Sequence, residues 1–146
     1  MFMQKFNLLS QLQRNAVAII SLVVALTSLG YNTWRNEQSE GNRNQRFASF
    51  MILLKLNELQ QLVFHRRYDP DLIVKGNPRT GWTYILTVND LSQVLPPPLP
   101  VRADKLRATW NINWVNIEND QASVDNILSG LDEMRDETIQ LLKTLE

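Results

Sequence analysis

His65, Arg66 and Arg67 are adjacent in a chain of 146 residues that holds a single histidine. With Arg79 in the segment that follows, they form the best candidate site for a small anion, because guanidinium groups grip phosphate or carboxylate through paired, charge-assisted hydrogen bonds. The same residues have a structural explanation. They close an apolar-periodic segment, and cations at that position favour the negative C-terminal end of a helix dipole.

Two further sets of side chains could carry chemistry. Asp132, Glu133, Asp136 and Glu137 bring like charges together at i,i+4 spacing. Carboxylates suit a hard cation, but neither EF-hand spacing nor a Glu-x-x-His pair accompanies them. No metal is therefore expected, and basic partners from the preceding helix, such as Arg102, Lys105 or Arg107, are expected instead. Trp110 and Trp114 stand four apart and share one helical face, where they serve either the core or a ligand or partner. Pro97 and Pro100 make a P-x-x-P that an aromatic groove could read, although a rigid joint between helices explains the same residues. Catalytic signatures are missing. The chain has no G-x-S-x-G elbow, P-loop, dinucleotide glycine fingerprint or H-E-x-x-H. The sequence thus points away from an enzyme and toward no cofactor.

The elements that would position these residues are helical, and the first is the most apolar. Ala16 to Leu29 reads AVAIISLVVALTSL without a charge, and Asn15 to Trp34 has the length of about 20 residues that a bilayer core requires. Tyr31 and Trp34 suit an aromatic belt, and Arg14 and Arg35 bracket the segment as snorkelling anchors. A buried core helix and a cleaved signal peptide with Lys5 in its n-region are the competing explanations. A transmembrane helix is favoured, since Trp34-Arg35 fits a stop better than a cleavage site.

Beyond it, Phe47, Phe50, Met51, Leu54, Leu59, Leu62 and Val63 recur at helical spacing, with Ile52, Leu53 and Leu56 widening the stripe. This helix is apolar on more than one face, so it is either central to a bundle or meets another chain. Nothing but Gly41 interrupts the segment from the span to about Tyr68, which predicts a continuous or once-bent helix. Asp69-Pro70-Asp71 and Gly76 to Gly81 predict turns. Trp82, Ile85, Leu86, Leu91 and Leu95 predict a second helix capped by Thr80, with a strand over Thr83 to Val88 as the alternative. Leu95 to Pro100 predicts a polyproline-like connector. Ala103, Leu106, Trp110, Trp114 and Ile117 predict a third helix, and Val124, Leu128, Leu131, Met134, Thr138, Leu141 and Leu145 a fourth, capped by Asp120.

Net charge is zero, and no cysteine is present, which excludes disulfides and cysteine zinc sites. The segment from Glu118 to Glu146 holds eight acids and two bases, so the last helix should lie against basic neighbours or offer an acidic face to a basic partner. No nucleic-acid signature appears. Lys5, Arg14 and the α-amino group before the span balance Arg35, Arg43 and Arg46 after it, so the charge rule does not decide orientation, and the three arginines after the span tip the expectation only slightly toward a cytoplasmic C-terminal domain.

Asn32-Thr33-Trp34-Arg35-Asn36-Glu37 after the span, Glu58-Leu59-Gln60-Gln61, and Asn77-Pro78-Arg79-Thr80-Gly81-Trp82 resemble a group of uncharacterised bacterial proteins with one N-terminal span and a small helical domain. That resemblance implies a single-pass protein of the bacterial inner membrane and brings no activity with it. The expected architecture is all-α: an N-terminal segment and transmembrane helix at residues 1–34, in the bilayer through 15–34, then a bundle of about four helices at 35–146. The expected role is membrane-anchored interaction or scaffolding, through self-association or another membrane protein. A tethered sensor of a small anion and an enzyme with an unfamiliar site are the rival classes.

Overall fold

The computed structural model describes residues 14–69, 71 and 74–145. Lys5, with the rest of 1–13, and Pro70 lie outside the described residues. Four helices make up the described part: α1 (Ala16–Tyr68), α2 (Pro78–Ser92), α3 (Leu99–Asn113) and α4 (Gln121–Thr144), with a 3-10 turn at Trp114–Asn116. No strand occurs among the described residues, so the segment from Thr83 to Val88 is helical.

α1 continues through Gly41, where an added Cβ would meet nothing within 4 Å. The chain divides into two compact units, Met1–Gly41 and Asn42–Glu146. In the first, every residue from Val17 to Glu40 is exposed. An 18-residue window there has a mean hydropathy of 1.7 and is 0% buried, so α1 is long and apolar enough to cross a membrane by length and composition. The Ser21 and Thr27 hydroxyls donate back to the carbonyls of Val17 and Val23, each at 2.8 Å, which satisfies them within the helix.

The second unit is a helical bundle. α1 buries Ala48, Ser49, Ile52, Leu56, Leu59, Leu62 and Val63 there. The exposed residues between Phe47 and Tyr68 are Phe47, Phe50, Leu54, Asn57, Gln61, Phe64 and Tyr68. At about 100° per residue these two sets lie on opposite sides of the helix. Apolar periodicity alone groups Phe47, Phe50 and Leu54 with Leu59, Leu62 and Val63, whereas the fold divides them between the two sides. The stripe that begins at Phe47 is interrupted by Asn57 and Gln61, whereas the one through Ile52, Leu56, Leu59 and Val63 stays apolar until Arg66 and Arg67 in the last turn. Burial follows the uninterrupted stripe.

α2 starts earlier than expected. Asn77 is its cap, the side-chain carbonyl accepting from Arg79 N–H at 3.0 Å, and Pro78 supplies the first helical residue. Thr80 and Gly81 are therefore inside the helix. Gly81, Ile85, Val88, Asn89 and Ser92 form its buried face, and Leu86 points outward. The proline segment is a turn rather than a polyproline helix: Pro98 has φ −94° and ψ 7°, far from the ψ near +145° of that conformation, and α3 begins at Leu99. Leu95 and Leu99, on either side, are both buried.

α3 packs against both α2 and α4. Its inward residues Ala103, Leu106 and Trp110 join one core with Ile85 and Val88 of α2, Ile52 to Val63 of α1, and Val124, Ile127, Leu131 and Met134 of α4. Ile117, placed on the helix by sequence, lies in the turn after it and is still buried. Trp110 is fully buried, and its Nε1 has no protein hydrogen-bond partner, so packing alone holds the ring. That packing requires glycine at position 81. A Cβ there would stand 2.3 Å from Trp110 Cζ2 and 2.5 Å from Cη2.

Gly81→Ala should therefore destabilise the bundle by about 1–3 kcal/mol, the usual cost of overpacking a core. Gly41→Ala, with open space around it, should be neutral or stabilise by up to about 1 kcal/mol. Urea unfolding of the two variants beside the parent measures the contrast.

Candidate functional site

The C-terminal end of α1 carries the basic residues singled out in the sequence, and the fold separates them. Arg66 is ion-paired with Glu118, in the turn before α4. Arg67 donates to the Glu118 carbonyl and, through Nε, to Gln121 Oε1 at 3.3 Å. Both guanidinium groups thus tie α1 to the start of α4. His65 has a different neighbour, Asp69, one turn on, with Nδ1 to Oδ2 at 3.1 Å. The loop after α1 folds back over this end so closely that a Cβ on Gly76 would stand 2.8 Å from Arg66 N.

His65 lines a cleft of about 300 Å³ between α1, α2 and their connecting loop, together with Glu58, Gln61, Leu62, Val74, Lys75, Thr80 and Tyr84. Arg66, Arg67 and Arg79 are not among its walls. Arg79 is exposed on the first turn of α2. The cleft is electrically mixed: His65 and Lys75 face Glu58, which is bonded to Lys55 at 2.7 Å, and the Lys55 ammonium lies 5.3 Å from the centre of the Tyr84 ring. Lys75, Thr80 and Tyr84 carry no motif that would have marked them. They meet His65 only because α2 returns along α1.

The tryptophans are also separated. Trp110 belongs wholly to the core, whereas Trp114 is half-buried at its edge, just past the end of α3. Its ring partner is Trp82 of α2, 6.5 Å away and edge-on at 75°, an arrangement that aromatic quadrupoles favour. Four-residue spacing predicts a shared face only while the helix lasts, and α3 gives way to a 3-10 turn after Asn113.

Two of the four acids singled out on α4, Glu133 and Glu137, meet two of the bases expected of α3, whereas Arg107 joins no such pair among the described residues. Arg102 reaches Glu133 at 3.2 Å and Glu137 at 3.3 Å, and Lys105 reaches Glu133 at 2.6 Å. Asp132 pairs with Arg135, whose other nitrogen donates to Gln60 of α1 at 2.6 Å. The hydrogen bond and charge of Lys105, with Arg102 beside it, hold the Glu133 carboxyl below its ordinary pKa. Asp120 caps α4, accepting from Ala122 N–H at 3.2 Å and Ser123 N–H at 2.9 Å. Hydrogen bonds from the Ser123 hydroxyl and backbone lower its pKa as well. Among the described residues no group of three or more His, Asp or Glu side chains is placed to hold a metal ion. Arg14, Tyr31, Trp34 and Arg35 are all exposed, with the Tyr31 and Trp34 rings 6.1 Å apart.

Acid should weaken the bundle in a defined direction. A depressed folded-state pKa contributes stability that is present above the unfolded value and is lost as pH falls through the folded one. The contributions of Asp120 and Glu133 should accordingly fade below about pH 4. Glu133→Gln should flatten that acid limb in a melting-temperature profile from pH 7 to 3, and each exposed pair should matter little at neutral pH. Glu118→Gln should free Arg66 of its ion pair, so inorganic phosphate should raise the melting temperature of this variant more than that of the parent. Equal shifts would show that Glu118 does not compete for these arginines.

Comparison with protein-family models, with curated proteins and with solved structures found no match to this chain.

Proposed function

We propose that this chain is a non-enzymatic, membrane-anchored interaction protein. Residues 15–34 cross a bilayer once, and the bundle presents a helical surface to a protein partner. The observation that carries the reading is the exposure of the apolar window in α1. A core helix of the same composition would be covered by its own chain, and this one is 0% buried. Ile20, Leu22, Val23, Val24 and Leu26 each leave more than half of their surface open. At about 25 cal/mol per Å² of apolar area, such a stripe is strongly unfavourable in water and suited to hydrocarbon.

Smaller features support the same reading. The Ser21 and Thr27 hydroxyls are satisfied by their own helix, as a lipid-facing hydroxyl needs to be. Tyr31 and Trp34 stand at the polar end of the apolar run, where amphipathic rings favour a headgroup layer. The bacterial inner membrane, with the bundle in the cytoplasm, is the compartment proposed from the family resemblance and the arginines after the span.

Alkaline carbonate extraction of membranes from expressing cells tests the proposal. The full chain should stay in the pellet, and its intact N-terminus should be recovered by mass spectrometry. Leu22→Arg, which places a charge within the span at about 2.5–3.5 kcal/mol, should move a substantial fraction to the supernatant. Release of the parent chain, or recovery of a chain trimmed after the apolar run, would contradict the anchor.

A further inference from the structure

The outer stripe of α1 from Phe47 to Tyr68 is the surface least suited to water in the bundle. Its exposed residues advance by alternating steps of three and four, the 3.5-residue period of a coiled-coil seam. A solvated stripe should be polar. Here Phe47, Phe50, Leu54, Phe64 and Tyr68 are exposed by 66%, 61%, 48%, 38% and 59%. We propose that this stripe pairs two copies of the chain through parallel, in-register α1 helices. The proposal rests on the membrane anchor above for the direction of pairing, since two chains inserted the same way into one bilayer meet side by side and parallel.

Three observations favour a second copy. The apolar area is sufficient: at about 200 Å² for a full aromatic side chain, the stripe leaves on the order of 500 Å² open per chain. A pair would cover about twice that, which reaches the roughly 1,000 Å² expected of a specific interface. The polar interruptions are self-complementary, because parallel register sets Asn57 against Asn57 and Gln61 against Gln61, and amides at such positions select register. Between Phe47 and Tyr68 the flanking residues oppose no like charges either. The same register places Arg46 near Met51, Leu53 near Glu58 and Gln60 near His65.

The absence of cysteine permits a direct test. Full-length chains carrying Phe50→Cys, Asn57→Cys or Gln61→Cys, reconstituted in phosphatidylcholine–phosphatidylglycerol vesicles, should form disulfide-linked dimers on mild copper oxidation. Val101→Cys and Ile112→Cys, exposed by 69% and 71% on α3, should not. Adding Phe47→Asp and Leu54→Asp to Asn57→Cys should abolish its crosslink while circular dichroism and melting temperature stay unchanged. Crosslinking at the α3 positions as strongly as on the stripe, mixed-position disulfides in place of like-to-like ones, or no crosslink at all would each overturn the proposal. Flotation of the same vesicles reads the anchor separately. Floating chains that do not crosslink refute the dimer alone, and chains that fail to float refute the anchor.

Discussion

Trp110 and Gly81 meet at a distance that only a missing side chain allows, and the bundle is arranged around that contact. Trp110 is the largest fully buried side chain and sits on the helix that touches both α2 and α4. Because a Cβ at position 81 would lie 2.3 Å from the indole, the glycine sets how closely α2 can approach α3. That approach in turn brings Trp82 to Trp114, and Asn89 to Asp104 at 2.8 Å. On the other side of α3, Arg102 and Lys105 receive Glu133 and Glu137 of α4, so part of the charge asymmetry of the sequence is met within the bundle.

α1 is attached to this assembly by one face only. Its buried stripe enters the core, Arg135 reaches Gln60, and Arg66 and Arg67 hold the turn before α4. Over residues 17–40 no side chain is buried, and over residues 47–68 the outward stripe is mostly aromatic or aliphatic. Burial of apolar surface is the dominant favourable term in folding and association. These two stretches are where this chain has left that term unused, and the proposed functions, an anchor and a pairing seam, both use it.

Much of this was legible in local sequence, and the remainder shares one cause. The long α1, free of proline, the Asp120 cap and the pairing of Arg102 and Lys105 with Glu133 and Glu137 follow from periodicity, cap chemistry and charge. The face that α1 buries did not, because Phe47, Phe50 and Leu54 are as apolar as the residues that go inside. Only the polar interruption at Asn57 and Gln61 separates the two stripes. At α2, Asn77 and Thr80 are both of a type that caps helices, and Pro78, preferred at the first helical position, is the signal that favours Asn77. The cleft around His65, the Arg66–Glu118 pair and the Gly81–Trp110 contact join residues far apart in the chain. No local pattern encodes them.

The anchor is the claim on which the rest of the functional account stands, and a cysteine scan reads it residue by residue. Single cysteines placed through positions 16–45 of this cysteine-free chain, in intact vesicles, can be challenged with a membrane-impermeant maleimide. A membrane anchor predicts a protected block over the apolar run, ending near Tyr31 and Trp34, and full labelling from about position 36 onward. Uniform labelling through residues 16–30 would contradict it.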